Sequence, residues 1–81
     1  MPGTRSAQYQ KFLSRLRAAR KLAGLTQVEV AQRLGRPQSF VSKCEAGERR
    51  VDAVELAAFA RAYKKPIDFF LASGGRQEKR R

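Results

Sequence analysis

Apolar positions recur along most of this chain at helical spacing. Tyr9, Phe12, Leu13, Leu16, Ala19, Arg20 and Ala23 fall at i, i+3, i+4 and i+7, so the pattern predicts an amphipathic helix from about Gln8, with Lys11, Arg15 and Lys21 off its stripe. Gly24 ends it, as glycine does just past a helix C-terminus. Thr26 followed by Glu29 is a capping box. It predicts a second helix over 27–34 that buries Val28 or Val30, Ala31 and Leu34, with Gly35 closing it. Arg36-Pro37 cannot continue that helix, because proline disfavours helical geometry in the residue before it, yet proline suits a helix start. A third helix is therefore predicted from Pro37 or Gln38 to about Ala46, with Val41 and Cys44 inward and Gly47 at its end.

After the charged loop Glu48-Arg49-Arg50, Asp52 with Glu55 repeats the capping spacing. A fourth helix follows with Leu56, Phe59, Ala60 and Tyr63 on one face, broken at Lys64-Lys65-Pro66. Ile67-Asp68-Phe69-Phe70-Leu71 reads as one or two further turns. No useful strand-type alternation and no internal repeat appear. The expectation is all-α: five short helices in one compact domain over 8–72, between a disordered N-terminal arm (1–7) and a flexible basic tail (73–81).

The chain has 81 residues, near the lower limit for a self-supporting core, and 42% of them are hydrophobic. Its 18 Lys and Arg against seven Asp and Glu give +11. The tail 74–81 carries +3 of this and Arg5 one more, leaving +7 for the stretch between, so the folded part is itself basic. Such a field favours polyanions, nucleic acid foremost. The charges are spread among the helices rather than gathered on one basic amphipathic helix, which argues against a membrane surface. No apolar run approaches the ~20 residues of a membrane span, and the start has no signal-peptide pattern.

One cysteine, Cys44, allows no internal disulfide, and its expected role is core packing. The absence of histidine removes the commonest general base and zinc ligand. With no Gly-rich phosphate loop either, neither an enzyme nor a metal or cofactor is expected. The expected setting is cytoplasmic and nucleoid-associated.

The centre of the chain carries the chemistry. Two short helices meet at Gly35 with small Ala31 on the inner face, which is what a helix-turn-helix requires. Gln38, Ser39, Ser42 and Lys43 supply the polar outer face of the second. Leu16-Arg17-x-x-Arg20, Gly24-Leu25-Thr26-Gln27, Val30-Ala31-x-x-Leu34-Gly35, Gln38-Ser39-Phe40-Val41-Ser42-Lys43 and Glu45-x-Gly47-x-Arg49 follow in order. Over residues 9–71 they resemble the lambda-repressor-like helix-turn-helix family, the Cro/repressor or XRE type. The resemblance implies base-edge contacts from Gln38, Ser39, Ser42 and Lys43 in the major groove of double-stranded DNA. It implies phosphate contacts from Thr26 and Gln27 at a helix N-terminus and from Arg49 and Arg50 in the loop. It also implies an internal salt bridge between Arg20 and Glu45.

Two positions depart from the family pattern. Cys44 stands where a larger aliphatic residue is usual. Phe40 is expected on an exposed face, against the DNA backbone or a thymine methyl. Ile67, Phe69, Phe70 and Leu71 are more apolar surface than one short helix buries alone, so they are expected to form a homodimer interface. The expected function is a transcriptional regulator, a repressor binding a palindromic operator as a homodimer and needing no small-molecule ligand. A phage-type repressor, a restriction–modification controller and an autoregulating antitoxin all fit. The alternative is an antitoxin-like or adaptor module whose main partner is another protein.

Overall fold

Each helix of the protein starts and stops where local chemistry satisfies its end groups. The computed structural model describes residues 6–71. It contains α1 (Ala7–Leu22), α2 (Gln27–Leu34), α3 (Gln38–Ala46), α4 (Ala53–Tyr63) and α5 (Ile67–Leu71), with no strand among the described residues. The five-helix, all-α expectation therefore holds. Residues 1–5 of the expected arm (1–7), residue 72 and the whole expected tail (73–81) lie outside the described residues. Ala7 differs from expectation: it is already helical, because the Ser6 hydroxyl accepts the Tyr9 N–H at 3.0 Å and caps α1 one residue earlier than the apolar stripe indicates.

Both capping boxes form. Thr26 Oγ1 accepts the Glu29 N–H at 3.1 Å while Glu29 Oε1 accepts the Thr26 N–H at 2.8 Å. The Asp52 and Glu55 pair closes in the same way at 2.7 and 3.0 Å. The hydrogen bond donated by the Thr26 N–H, above all, holds the Glu29 carboxyl below its usual range.

Packing follows the stripes. Phe12, Leu13, Leu16 and Ala19 of α1 meet Val30 and Ala31 of α2, Phe40, Val41 and Cys44 of α3, Phe59, Ala60 and Tyr63 of α4, and Phe70 of α5. Between the alternatives on α2, Val30 is buried and Val28 is 52% exposed. Ala23, at the end of the α1 stripe, is exposed because the helix stops at Leu22. A run of rings ties the last three helices together. Phe40 stacks on Phe59 at 6.1 Å and 4°, Phe59 meets Tyr63 at 6.0 Å, and Tyr63 meets Phe70 at 6.4 Å. Gly47 closes α3 at φ +82°, where a Cβ would stand 2.9 Å from Leu13 Cδ1. Both backbone conformation and close approach therefore demand glycine there. No helix among the described residues is long and apolar enough to cross a membrane.

Candidate nucleic-acid interface

The turn between α2 and α3 sets the angle at which α3 is shown to solvent. Gly35 takes φ 68°, ψ 33°, which carries the Arg36 N–H back to the Ala31 carbonyl at 3.0 Å. Pro37 then opens α3 in extended geometry at φ −65°, ψ 154°. α3 packs on α2 and α1. It buries Phe40, Val41, Cys44 and Glu45, an i, i+1, i+4, i+5 stripe. The complementary positions face outward: Gln38, Ser39 and Lys43 are exposed and Ser42 is half-buried.

Behind this face lies a connected polar network. Arg20 grips Glu45 with two bonds, Nε to Oε2 at 2.7 Å and Nη2 to Oε1 at 3.1 Å, and its Nη1 donates to the Leu25 carbonyl at 3.0 Å. The hydrogen bond to Glu45 raises the already high pKa of Arg20. Arg17 adds a bond from Nη1 to the Glu45 main-chain carbonyl at 2.9 Å, near the end of α3. Glu45 Oε1 also accepts from Gln27 Nε2 at 3.0 Å, and Gln27 Oε1 accepts from Gln38 Nε2 at 2.7 Å.

An ionised carboxylate only accepts hydrogen bonds. Gln27 must therefore turn its amino group to Glu45 and its carbonyl to Gln38, which fixes the sense of the second amide as well. Gln38 keeps its carbonyl and one N–H for an outside partner. Gln27, expected on phosphate, is thus held by Glu45 and Gln38. Thr26 stands exposed at the α2 N-terminus, where main-chain N–H groups and the helix dipole favour anions.

A second cluster sits at the other side of α3, and Phe40 is its centre. The ring is 8% exposed rather than outward-facing. It is covered because Phe59 stacks beneath it and the guanidinium groups of Arg36 and Arg49 lie 4.4 and 4.8 Å from its centroid. Both arginines converge on Glu55, Arg49 at 2.8 Å and Arg36 at 3.8 Å. The Arg49 bond holds the Glu55 carboxyl below its ordinary value and raises Arg49 in turn. Arg50 lies over the Tyr9 ring at 4.9 Å, and the Tyr9 hydroxyl accepts the Val51 N–H at 3.0 Å.

Glu55, Arg36 and Arg17 are the residues that the sequence pattern left without these roles. Glu55 was legible only as a capping acid; its spacing from Arg49 gives no sign of the ion pair. Cys44 is fully buried, and burial pushes its thiol pKa up. In α5, Phe70 is 1% exposed and belongs to the protein's own core. Among the four residues expected at a dimer interface, Ile67 and Leu71 are exposed and Phe69 is half-buried. No group of three or more His, Cys, Asp or Glu able to hold a metal occurs among the described residues.

The arrangement matches known proteins. A helix-turn-helix domain family model fits residues 12–68. The solved structure of an XRE-family like protein from Pseudomonas syringae pv. tomato str. DC3000 superposes with a TM-score of 0.76 at 51% sequence identity, covering 80% of this chain and 79% of that one. No curated protein matches. With the turn, the outward polar face of α3 and these similarities together, the chain belongs to the XRE-type helix-turn-helix family of DNA-binding regulators.

Proposed function

We propose that the protein is a sequence-specific transcriptional regulator, a repressor that reads a palindromic operator in duplex DNA as a homodimer. The observation that carries this reading is the orientation of Gln38 by Gln27 at 2.7 Å. Adenine offers the major groove an acceptor, N7, and a donor, N6–H. The carbonyl and free N–H of Gln38 are the complementary pair. Lys43 suits guanine O6 and N7, and Ser39 and Ser42 suit either kind of base edge. Thr26 and the N-terminus of α2, with Arg49 and Arg50, are proposed to hold phosphates.

Homodimerisation is proposed through the exposed side chains of Ile67 and Leu71 and the outer edge of Phe69. Two copies would set their α3 helices in successive major grooves, about 34 Å apart.

The test is selection from random duplexes at ~150 mM salt, with a Gln38→Ala, Lys43→Ala variant in parallel. Recovery of an inverted repeat, lost in the variant while weak non-specific binding persists, is the expected result. Failure to enrich any motif, with variant and parent binding alike, would remove base reading from the proposal.

A further inference from the structure

The first three helices each run into a glycine of positive φ: Gly24 at 73°, Gly35 at 68° and Gly47 at 82°. α4 ends instead on Lys64, at φ 57° and ψ 45°, the one non-glycine among the described residues with positive φ. A Cβ is strained in that conformation, and glycine would close the helix more favourably. The fold therefore gives no reason for lysine at this position.

Lys64 lines a surface pocket of about 390 Å³ together with Arg33 and Arg61, and the rest of the lining is Leu34, Ala58 and Ala62. The three cations are exposed and the three apolar side chains are half-buried. Ion pairs among the described residues join Arg20 to Glu45 and Arg36 and Arg49 to Glu55; none takes Arg33, Arg61 or Lys64. Arg33 acts on Glu29 only through space. Arg33 and Arg61 lie in last helical turns, where the helix dipole favours a cation. Lys64 adds a further cation at the end of α4, where Arg61 already supplies that charge without a left-handed backbone.

We propose that this pocket is a docking site for an acidic segment of another protein, one bearing two or more carboxylates around a small aliphatic side chain. Three like charges around an apolar lining suit carboxylates that flank a methyl-bearing side chain; a phosphate backbone would leave the lining unused. A second copy of this chain is a poor occupant. Its Glu45 and Glu55 are buried against arginines and its Glu29 and Asp52 are engaged in capping boxes, leaving only Glu48 and Asp68 among the described acids. The pocket is also distinct from the reading face. No residue of α3 lines it, and Arg33 lies six residues beyond Gln27, about 9 Å along the axis of α2.

The experiment titrates the isotope-labelled full chain with a blocked peptide Glu-Asp-Val-Asp-Glu, with and without saturating random-sequence duplex, following backbone amide resonances. Saturable shifts are expected at Arg33, Leu34, Ala58, Ala62 and Lys64, and they should persist when duplex is bound. The variant Lys64→Gly is expected to raise Tm by a few degrees, to weaken the peptide by about fivefold, and to leave duplex affinity unchanged.

Shifts centred on Gln38, Ser39 and Lys43, or displacement of the peptide by duplex, would overturn the proposal in favour of polyanion binding on α3. A loss of duplex affinity in Arg33→Ala, Arg61→Ala would make the patch a phosphate contact and overturn it too. So would peptide affinity unchanged in Lys64→Gly, or no saturable shift up to about 1 mM peptide.

Discussion

Gln27 Oε1 accepts the side-chain N–H of Gln38 at 2.7 Å, so the first exposed residue of α3 is aimed by a residue of α2. Because Gln27 is itself oriented by Glu45, the geometry of the proposed reading face is set from behind that face. Gln38→Ala is expected to cost about 1–3 kcal/mol of discrimination at one base pair. Gln27→Ala should lose a fraction of the same discrimination, at the same base pair, with stability unchanged within about 0.5 kcal/mol. Competition between a selected site and its single-base variants measures both. A Gln27→Ala loss spread evenly over all sequences would instead make Gln27 a phosphate contact.

The Arg20–Glu45 pair is nearly closed to solvent, with side chains 14% and 4% exposed. Truncating Glu45 leaves Arg20 without its partner, so Glu45→Ala is expected to destabilise by about 3 kcal/mol in urea unfolding. Replacing both residues by apolar ones of similar volume, Arg20→Met with Glu45→Leu, should cost less than the single change. A double variant weaker than Glu45→Ala would show that the Arg20 bond to the Leu25 carbonyl, the one further contact it removes, outweighs the relief of an unpaired charge.

Acid should loosen the protein through Glu55. Its folded-state pKa is depressed, first by the hydrogen bond from Arg49, so its contribution is fully present above the ordinary carboxylate value near 4.5 and is lost as pH falls through the lower folded value. Thermal unfolding from pH 7 to pH 3 is the measurement. Glu55→Gln is expected to melt lower than the parent at pH 7, with the gap narrowing below about pH 4.5. A gap that stays constant to pH 3 would mean that the carboxylate charge is not what holds Arg49 and Arg36.

The two ends of α5 should separate stability from association. Phe70→Ala is expected to cost about 3–5 kcal/mol, because a fully buried ring is lost. Leu71 is 58% exposed and Ile67 41%, so Leu71→Glu with Ile67→Glu should leave the monomer folded and weaken any dimer seen by sedimentation. A variant that sediments as the parent does would move the interface elsewhere.

Helix ends were the most legible part of this chain, since Thr26, Asp52, Gly35 and Gly47 act through neighbours a few residues away. The stripe on α1 was equally plain. The burial of Phe40 is not legible in sequence because its cover comes from far along the chain: Phe59 on α4 and the guanidinium of Arg49 are brought together only by the tertiary fold. The outward positions of α3 could be read from spacing, whereas the Gln27–Gln38 contact could not, as amide pairing across a turn leaves no periodic trace. The Arg20–Glu45 pair came from family resemblance alone, for nothing in the spacing of residues 25 apart announces it. Lys64 was legible as a break and not as a strained cap, because a left-handed lysine looks like any other lysine in sequence.

The inward aim of Glu45 has one more consequence. α3 carries a single acid and a single cation, and the acid is spent against α1, so Lys43 is the only formal charge on its open side. Binding to DNA weakens with salt in proportion to the number of phosphates neutralised. If α3 reads bases mainly through amides and hydroxyls, ion release is governed by the arginines around it and is nearly the same for every sequence. Affinities for a good and a poor site, plotted logarithmically against salt, should then run as parallel lines, and the ratio by which the protein prefers one over the other should hold as ionic conditions change.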